Sequence, residues 1–569
     1  MKKNFVSLAV ATALVFATSA AMACTNFLVT KGASTDGSTF ISYAADSHTL
    51  YGELYYRKAA TYPAGTMFTV YDWDSGKKLG EIPQVAKTYS VVGNMNECQL
   101  AIGETTYGGL EDLYKPNGII DYGSLIYLTL QRASNAREAI KTMAELLATY
   151  GYASEGESFS IADPNEVWVM DLIGKGEKIN NKKWTKGAVW VARRVPDGYI
   201  CAHANQARIT TFPMEKQSKN SISSKNLKRI FEKDIDVVYA YDVVEFARMK
   251  GLYSGKDEDF SFCETYNPLT FGGARGCEAR VYAFFHRAAD NMQQYEDYAM
   301  GHNLKNRMPL WVKPSKKISV LDMMSFMRDH YEGTAMDMTK DLGAGPYKCP
   351  YRWRPMGWEI DGKTYVHERA TSTQQTGFSF IAQCRSWLPN KVGGILWFGV
   401  DDTYSTVYCP MYCGITQIPL YFQEGNGNMV TYSPTSAFWL FNQVANFVYS
   451  RYDAMIVDLQ KVQSTLETGY VKSVADNDAK VKNLSGDQLT AALNKYSNEQ
   501  ADNMFTAWTN LSHYLLVKYM DGNIKKEKDG RFMESEDRPG QNVFPDQPRY
   551  PDWWYRKIVE DHGDVLIQK

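Results

Sequence analysis

Residues 24–47 read CTNFLVTKGASTDGSTFISYAADS. Two runs inside this stretch, TNFLVT (25–30) and STFISYAA (38–45), alternate apolar with polar residues and are rich in β-branched and aromatic side chains. Both are therefore expected to be strands. Asp36-Gly37 between them is a hairpin signal, because tight turns need a residue that tolerates positive φ. The reading is a pair of antiparallel strands, the first starting directly after Cys24 and the second ending at Ala45, just before Asp46.

What precedes Cys24 sets its chemistry. Lys2 and Lys3 form a positive start, Phe5 to Ala17 an apolar run, and Ala21-Met22-Ala23 a small-x-small cleavage site. Residues 1–23 thus read as a signal peptide, with Cys24 the first residue of an exported, periplasmic or extracellular protein. No later segment approaches the ~18 consecutive apolar residues of a bilayer span. Formal charge is −2, and −4 without the two leader lysines. That balance provides no basic surface for nucleic acid and no polybasic patch for a membrane.

A cysteine in this position has three fates: lipid anchor, half of a disulfide, or nucleophile. A lipid anchor normally has a large apolar residue three positions before the cysteine, and here that residue is Ala21. A surface lipoprotein attached through Cys24 is the competing class of function. The nine cysteines are 24, 98, 201, 263, 277, 349, 384, 409 and 413. An odd number leaves at least one thiol out of pairing, and the pairing itself is not legible. Cys409 and Cys413 are the one tight pair, without the second pair or histidines of a zinc site, so no metal is expected.

Further strands are expected at 88–93, 167–174, 189–195 and 199–204. Helical periodicity marks 134–151, started by Ser134 and closed by Gly151. Two longer helices are expected over 435–469 and 487–522. The tail, with Pro539, Pro545, Pro548 and Pro551, is expected to wrap the surface, anchored by Trp553-Trp554-Tyr555. There is no G-x-S-x-G elbow, no phosphate-binding G-x-x-x-x-G-K-[ST] loop and no H-E-x-x-H helix. FGGARG (271–276) lacks dinucleotide-binding spacing. His203 is the one histidine near the informative motifs, and it reads as structural.

Cys24 could work as a nucleophile whose own α-amine is the base. The thiol titrates near ~8.5 and a terminal amine near ~7.7–8.0, so the two are matched. The site would still need a group to orient the amine and donors for a tetrahedral oxyanion.

With those requirements stated, CTNFLVTKGASTDGSTFISYAADS (24–47) resembles the start of the cysteine-type N-terminal-nucleophile dipeptidases, the bacterial dipeptidase A group. The resemblance continues through GNMNECQLAIGETTYGG (93–109), GESFSIADPNEVWVMDLIG (156–174), VWVARRVPDGYICAHANQARI (189–209) and GCEARVYAFFHR (276–287). It covers residues 24 to about 460 in family order. Bile-salt hydrolases and penicillin V acylases are related enzymes with similar sites.

The resemblance implies roles. Cys24 matches the nucleophile and Asp46 the carboxylate that holds its amine. Asn205 matches the amide of the oxyanion hole, with a backbone N–H around Thr105 and Thr106 as second donor. Arg280 matches a late arginine whose charge favours the thiolate, with Arg275 the neighbouring alternative. Relatives usually carry an arginine where this chain has Tyr43. The implied fold is α/β (α+β), a four-layer αββα sandwich of two antiparallel sheets, catalytic over 24–470 and followed by a helical region over 471–569. The implied function is hydrolysis of dipeptides or short peptides without cofactor. An acylase or bile-salt-hydrolase activity on the same fold is the second enzymatic reading, and homo-oligomerisation is left open.

Overall fold

The computed structural model describes residues 24–114, 118–176, 186–353 and 356–568. The expected signal peptide, 1–23, lies outside them. Ten strands carry the fold: β1 Asn26–Val29, β2 Thr39–Asp46, β3 Ala101–Gly108, β4 Gly156–Ala162, β5 Val167–Gly174, β6 Ala188–Arg194, β7 Ile200–His203, β8 Thr376–Cys384, β9 Gly394–Val400 and β10 Cys409–Tyr412. The helices used below are α1 Tyr122–Leu130, α2 Ala136–Tyr150, α3 Ala279–Ala288, α4 Ala437–Ser450, α5 Tyr452–Val481, α6 Gly486–Lys518 and α7 Asp552–Leu566.

The opening stretch does form an antiparallel pair, with Leu28 opposite Ile41 and Val29 opposite Phe40. Its sheet runs Trp311–Val312, β7, β1, β2, β8, β9, β10, antiparallel throughout. The second sheet is centred on β6, β5, β4 and β3, also antiparallel. One edge of it adds a parallel pair, Val237–Tyr239 with Ser221–Ser223. Every residue of β2, β5, β8 and β9 is buried. Strands covered on both faces need no polar side, which is why VWVMDLIG reads as nearly continuous apolar sequence.

The sheets meet where β2 lies against β3, β4 and β5 and β1 against β3, with His203 of β7 bonded to Thr105 and Ser160 across the seam. Polar bridges cross there: Asn26 Nδ2 donates to the Glu104 carbonyl at 2.6 Å and the Thr39 hydroxyl to the Asp163 carbonyl at 2.6 Å. Helices α1 and α2 pack on the second sheet, and α3 to α6 on the first.

Several local expectations are corrected. The cap of α2 is Asn135, whose side chain accepts from Glu138 N, while Ser134 donates to the Glu138 carboxylate; Gly151 closes the helix as expected. The helix expected over 435–469 is two, α4 and α5, broken at Arg451, whose backbone is non-helical. Helix α5 runs past Gly469 because Tyr470, Val474, Asp478 and Val481 continue its buried face. In the tail, the 553–555 aromatics are not anchors. Trp553 is 43% exposed and α7 has no buried residue; Tyr550, stacked on Tyr347, makes the ring contact instead. All nine thiols are free. No helix among the described residues is long and apolar enough to cross a membrane.

Candidate active site

Cys24 sits one residue before the bridge in which Thr25 and Ala44 exchange backbone hydrogen bonds, so its side chain is fixed against the end of β2. Four separate segments converge on it. Asp46 arrives at the last position of β2, behind a register shift at Ala45/Asp46. Arg280 comes from the first turn of α3, directly after a π-helical turn over Gly273–Glu278. Such turns are uncommon and re-aim the residues that follow. A side chain at Gly273 would collide with Gln206 Oε1, 2.4 Å from the Cβ position, so glycine there lets this turn approach the Asn205 segment.

Arg280 is 1% exposed and does not touch the sulfur. Its Nη1 donates to the Cys24 carbonyl at 2.6 Å and to the Thr25 hydroxyl at 2.9 Å, and its Nη2 donates to Asn205 Oδ1 at 2.9 Å. Arg280 therefore ties the Cys24 backbone to the amide of Asn205. Arg275 instead pairs with Glu368 at 2.7 Å, so of the two arginines it is Arg280 that contacts Cys24 and Asn205. Asn205 has left-handed backbone, φ 53°, and its Nδ2 donates to the Thr106 carbonyl. The loop holding it is clamped by Asp171, which accepts from the N–H groups of Arg208 and Ile209 at 2.9 and 2.8 Å. A buried Arg208–Glu278 pair at 2.9 Å joins that loop to the start of α3.

Asp46 is fully buried and ionically matched. Arg369 Nη2 donates to its Oδ2 at 2.6 Å and the Thr376 hydroxyl to its Oδ1 at 2.6 Å. Burial holds its carboxyl above the usual aspartate range, against the opposing pull of Arg369 and Thr376. Sequence reasoning missed Arg369, which lies 323 residues from its partner in a segment without periodic pattern.

The sulfur has a different neighbour. Glu104 Oε1 lies 3.5 Å from Cys24 Sγ, the Tyr43 hydroxyl lies 3.6 Å away, and that hydroxyl donates to Glu104 at 2.5 Å. Tyr43, the departure noted in the sequence, is thus a partner of Glu104. Burial pushes the Cys24 thiol well up, and the charges of Glu104 and Asp46 add to this; the Asp46 N–H and the Tyr43 hydroxyl pull the other way. In the full chain, with its nitrogen in a peptide bond to Ala23, Cys24 is a neutral thiol.

The two threonines divide. The Thr105 hydroxyl bonds His203 Nδ1 at 2.8 Å, and Ser160 bonds His203 Nε2 at 2.7 Å. With both nitrogens engaged and burial lowering its pKa to about 3, His203 is a neutral structural group. Thr106 presents its carbonyl to Asn205 and its hydroxyl to Glu157 at 2.8 Å, directly before the β3–β4 pairing becomes irregular towards Gly108. Gly103 lets β3 come this close to β1, since a Cβ there would stand 2.3 Å from Asn26 Oδ1.

The profile of peptidase family C69 matches residues 23–465, most of the chain and every segment of this site. The chain belongs to peptidase family C69. That family is of the cysteine-type N-terminal-nucleophile class, so the resemblance seen in the sequence holds. A probable dipeptidase of Latilactobacillus sakei is 25% identical over 87% of this peptidase and 95% of its own length. Dipeptidase A of Lactobacillus helveticus is 22% identical over 85% and 94% respectively. A probable dipeptidase B of Lactococcus lactis is 24% identical over 71% and 73%.

Proposed function

We propose that this peptidase is an exported dipeptidase whose nucleophile is Cys24, unmasked when residues 1–23 are removed. The observation that carries the reading is the convergence of Cys24, Asp46, Asn205 and Arg280 from four distant segments on one buried point. Removal of the leader converts an amide nitrogen into an amine, and that amine supplies the proton acceptor a buried, neutral thiol lacks. Asp46, held by Arg369 and Thr376, orients the amine. The amine takes the thiol proton as sulfur attacks the substrate carbonyl, and the ammonium then gives it to the departing amine. Water hydrolyses the thioester by the reverse relay.

Asn205 Nδ2 and a backbone N–H at Thr105 or Thr106 receive the oxyanion. Arg280 acts through Asn205, fixing which side of the amide faces the reacting carbon. In this reading the two sheets and their flanking helices are the αββα sandwich. Residues 24–470 are the catalytic part, and the region after them packs outside the site.

The test is a panel of dipeptides beside penicillin V and glycine-conjugated bile salts. Dipeptide turnover that falls by ~10⁴-fold or more in Cys24→Ala, with an unchanged unfolding midpoint, is expected. Turnover of only the acyl compounds would move the protein to the acylase reading. Acyl chains on the Cys24 nitrogen, visible by intact mass, would exclude the amine as base and favour a lipoprotein.

A further inference from the structure

The mechanism above leaves one group beside the sulfur unused. Glu104 is fully buried, 3.5 Å from Cys24 Sγ, and no cation is paired with it among the described residues. It leans on a second buried carboxyl, Glu157, which accepts from Thr106 at 2.8 Å. Oε2 of Glu104 and Oε2 of Glu157 are buried and, apart from the other carboxyl of the pair, meet no N–H or O–H donor among the described residues. The surroundings add negative potential: Asp74, whose carboxylate accepts from Tyr122 at 2.9 Å, and Glu155. Two carboxyls so placed can coexist only by sharing a proton or by receiving a cation. Orphaned acceptors beside a nucleophile are complementary to a small cation rich in donors.

Resting on the dipeptidase reading, we propose that Glu104, seconded by Glu157, receives the α-ammonium of the substrate's first residue and restricts the enzyme to peptides with a free N-terminus. Covalent geometry supports the placement. The amine of a dipeptide is two bonds from the scissile carbonyl carbon, about 2.5 Å away. Attack brings sulfur within ~3–3.5 Å of that carbon. The ammonium therefore falls within about 6 Å of Sγ, the shell in which Glu104 Oε1 stands. Its three N–H groups replace the proton the carboxyls share. Its charge offsets that of Glu104 on the thiol, so the substrate brings the cation this pocket lacks. Tyr43 fits the same account: an arginine at 43 would pair with Glu104 and fill the place, whereas the tyrosine hydroxyl takes one lone pair and leaves the rest to the substrate.

The experiment uses protein purified from expression of the full chain. It compares kcat/KM for the best dipeptide with kcat/KM for its desamino analogue, in which hydrogen replaces the amine. The parent should prefer the free amine by at least ~10²-fold, as sites built around a buried polar partner do. Glu104→Gln should cut that ratio ~10-fold or more, chiefly through KM, with Glu104→Asp restoring part of it and Glu157→Gln acting in the same direction more weakly. A parent ratio near one, or a Glu104→Gln protein that loses both substrates equally, overturns the inference and leaves the dipeptidase reading standing. If Glu104→Gln does not fold, Glu157→Gln decides by the same ratio. If turnover is too slow to read, Kd for the two ligands in Cys24→Ala, with and without Glu104→Gln, decides in its place. No dipeptide turnover by the parent is the separate result that removes the dipeptidase reading itself.

Discussion

Two buried carboxyls flank Cys24, and they are built differently. Asp46 ends a strand with an arginine on one oxygen and a threonine hydroxyl on the other. Glu104 stands mid-strand with a tyrosine hydroxyl and another carboxyl, and no cation is paired with it among the described residues. A carboxylate paired inside the protein is a fixed fixture, ionised and oriented before anything binds. A carboxyl that meets only another carboxyl keeps its proton until a cation arrives. In the proposed mechanism, the first arrangement suits a group that must hold the Cys24 amine through every step. The second suits a group whose partner comes and goes with the substrate.

The largest way to break this contrast is Arg369→Ala. It strands the Asp46 charge in the interior, and urea unfolding should show a loss of about 3–5 kcal/mol. Glu104→Gln strands nothing and should change stability by less than about 1 kcal/mol. Equal losses from the two would mean that both acids are structural.

A middle-sized effect comes from pH. Burial pushes the Glu104 and Glu157 carboxyls above the usual glutamate range. Above about pH 4.3 the unfolded chain has released protons that the folded pair still holds. Folding stability should therefore fall as pH rises from there to the pair's own pKa, by at most ~1.4 kcal/mol per pH unit and proton, and then level off. Glu157→Gln removes one of these protons, so its stability curve should be flatter than the parent's across that window. Parallel curves for the two proteins would show that the pair is not protonated in the folded state.

Tyr43→Phe should have the smallest effect. It deletes the hydroxyl that fixes Glu104, at a stability change near ~1 kcal/mol. KM for a free-amine dipeptide should shift while the desamino analogue is unaffected. An equal shift for both would place Tyr43 on the sulfur's account and not on that of Glu104.

The Asp46 side was largely legible in the sequence and the Glu104 side was not. Cys24, Asp46, Asn205 and Arg280 sit in short runs whose residue types and order carry the resemblance, so each could be named before any coordinates. The first strand pair was legible from alternation, although the two strands are joined by residues 30–38 with a 3-10 turn at Lys31–Ala33 and not by a tight turn at Asp36-Gly37 alone. Strands β8 and β9, next to β2 in the same sheet, went unread, although GILWFGV is as continuously apolar as VWVMDLIG of β5, which was read as a strand. Arg369 was hidden for a different reason: an ion pair spanning 323 residues leaves no local signal. Glu104 and Glu157 lay inside quoted motifs but were read only for their neighbours. They become a pair through strand register, which sets Thr106 opposite Glu157 and so brings Glu104 beside it. A glutamate within each of two largely apolar strand runs is the signal that could have found them, since burial of an unpaired carboxyl is costly.

The most direct test of the central claim joins two readings on one sample: intact mass with N-terminal fragmentation, and dipeptide turnover. The account predicts that active protein begins at Cys24 with an unmodified amine, and that protein still carrying Ala23 in peptide linkage to Cys24 is inactive. Full turnover by a preparation in which Ala23 remains attached would contradict it, because the proposed base would then not exist.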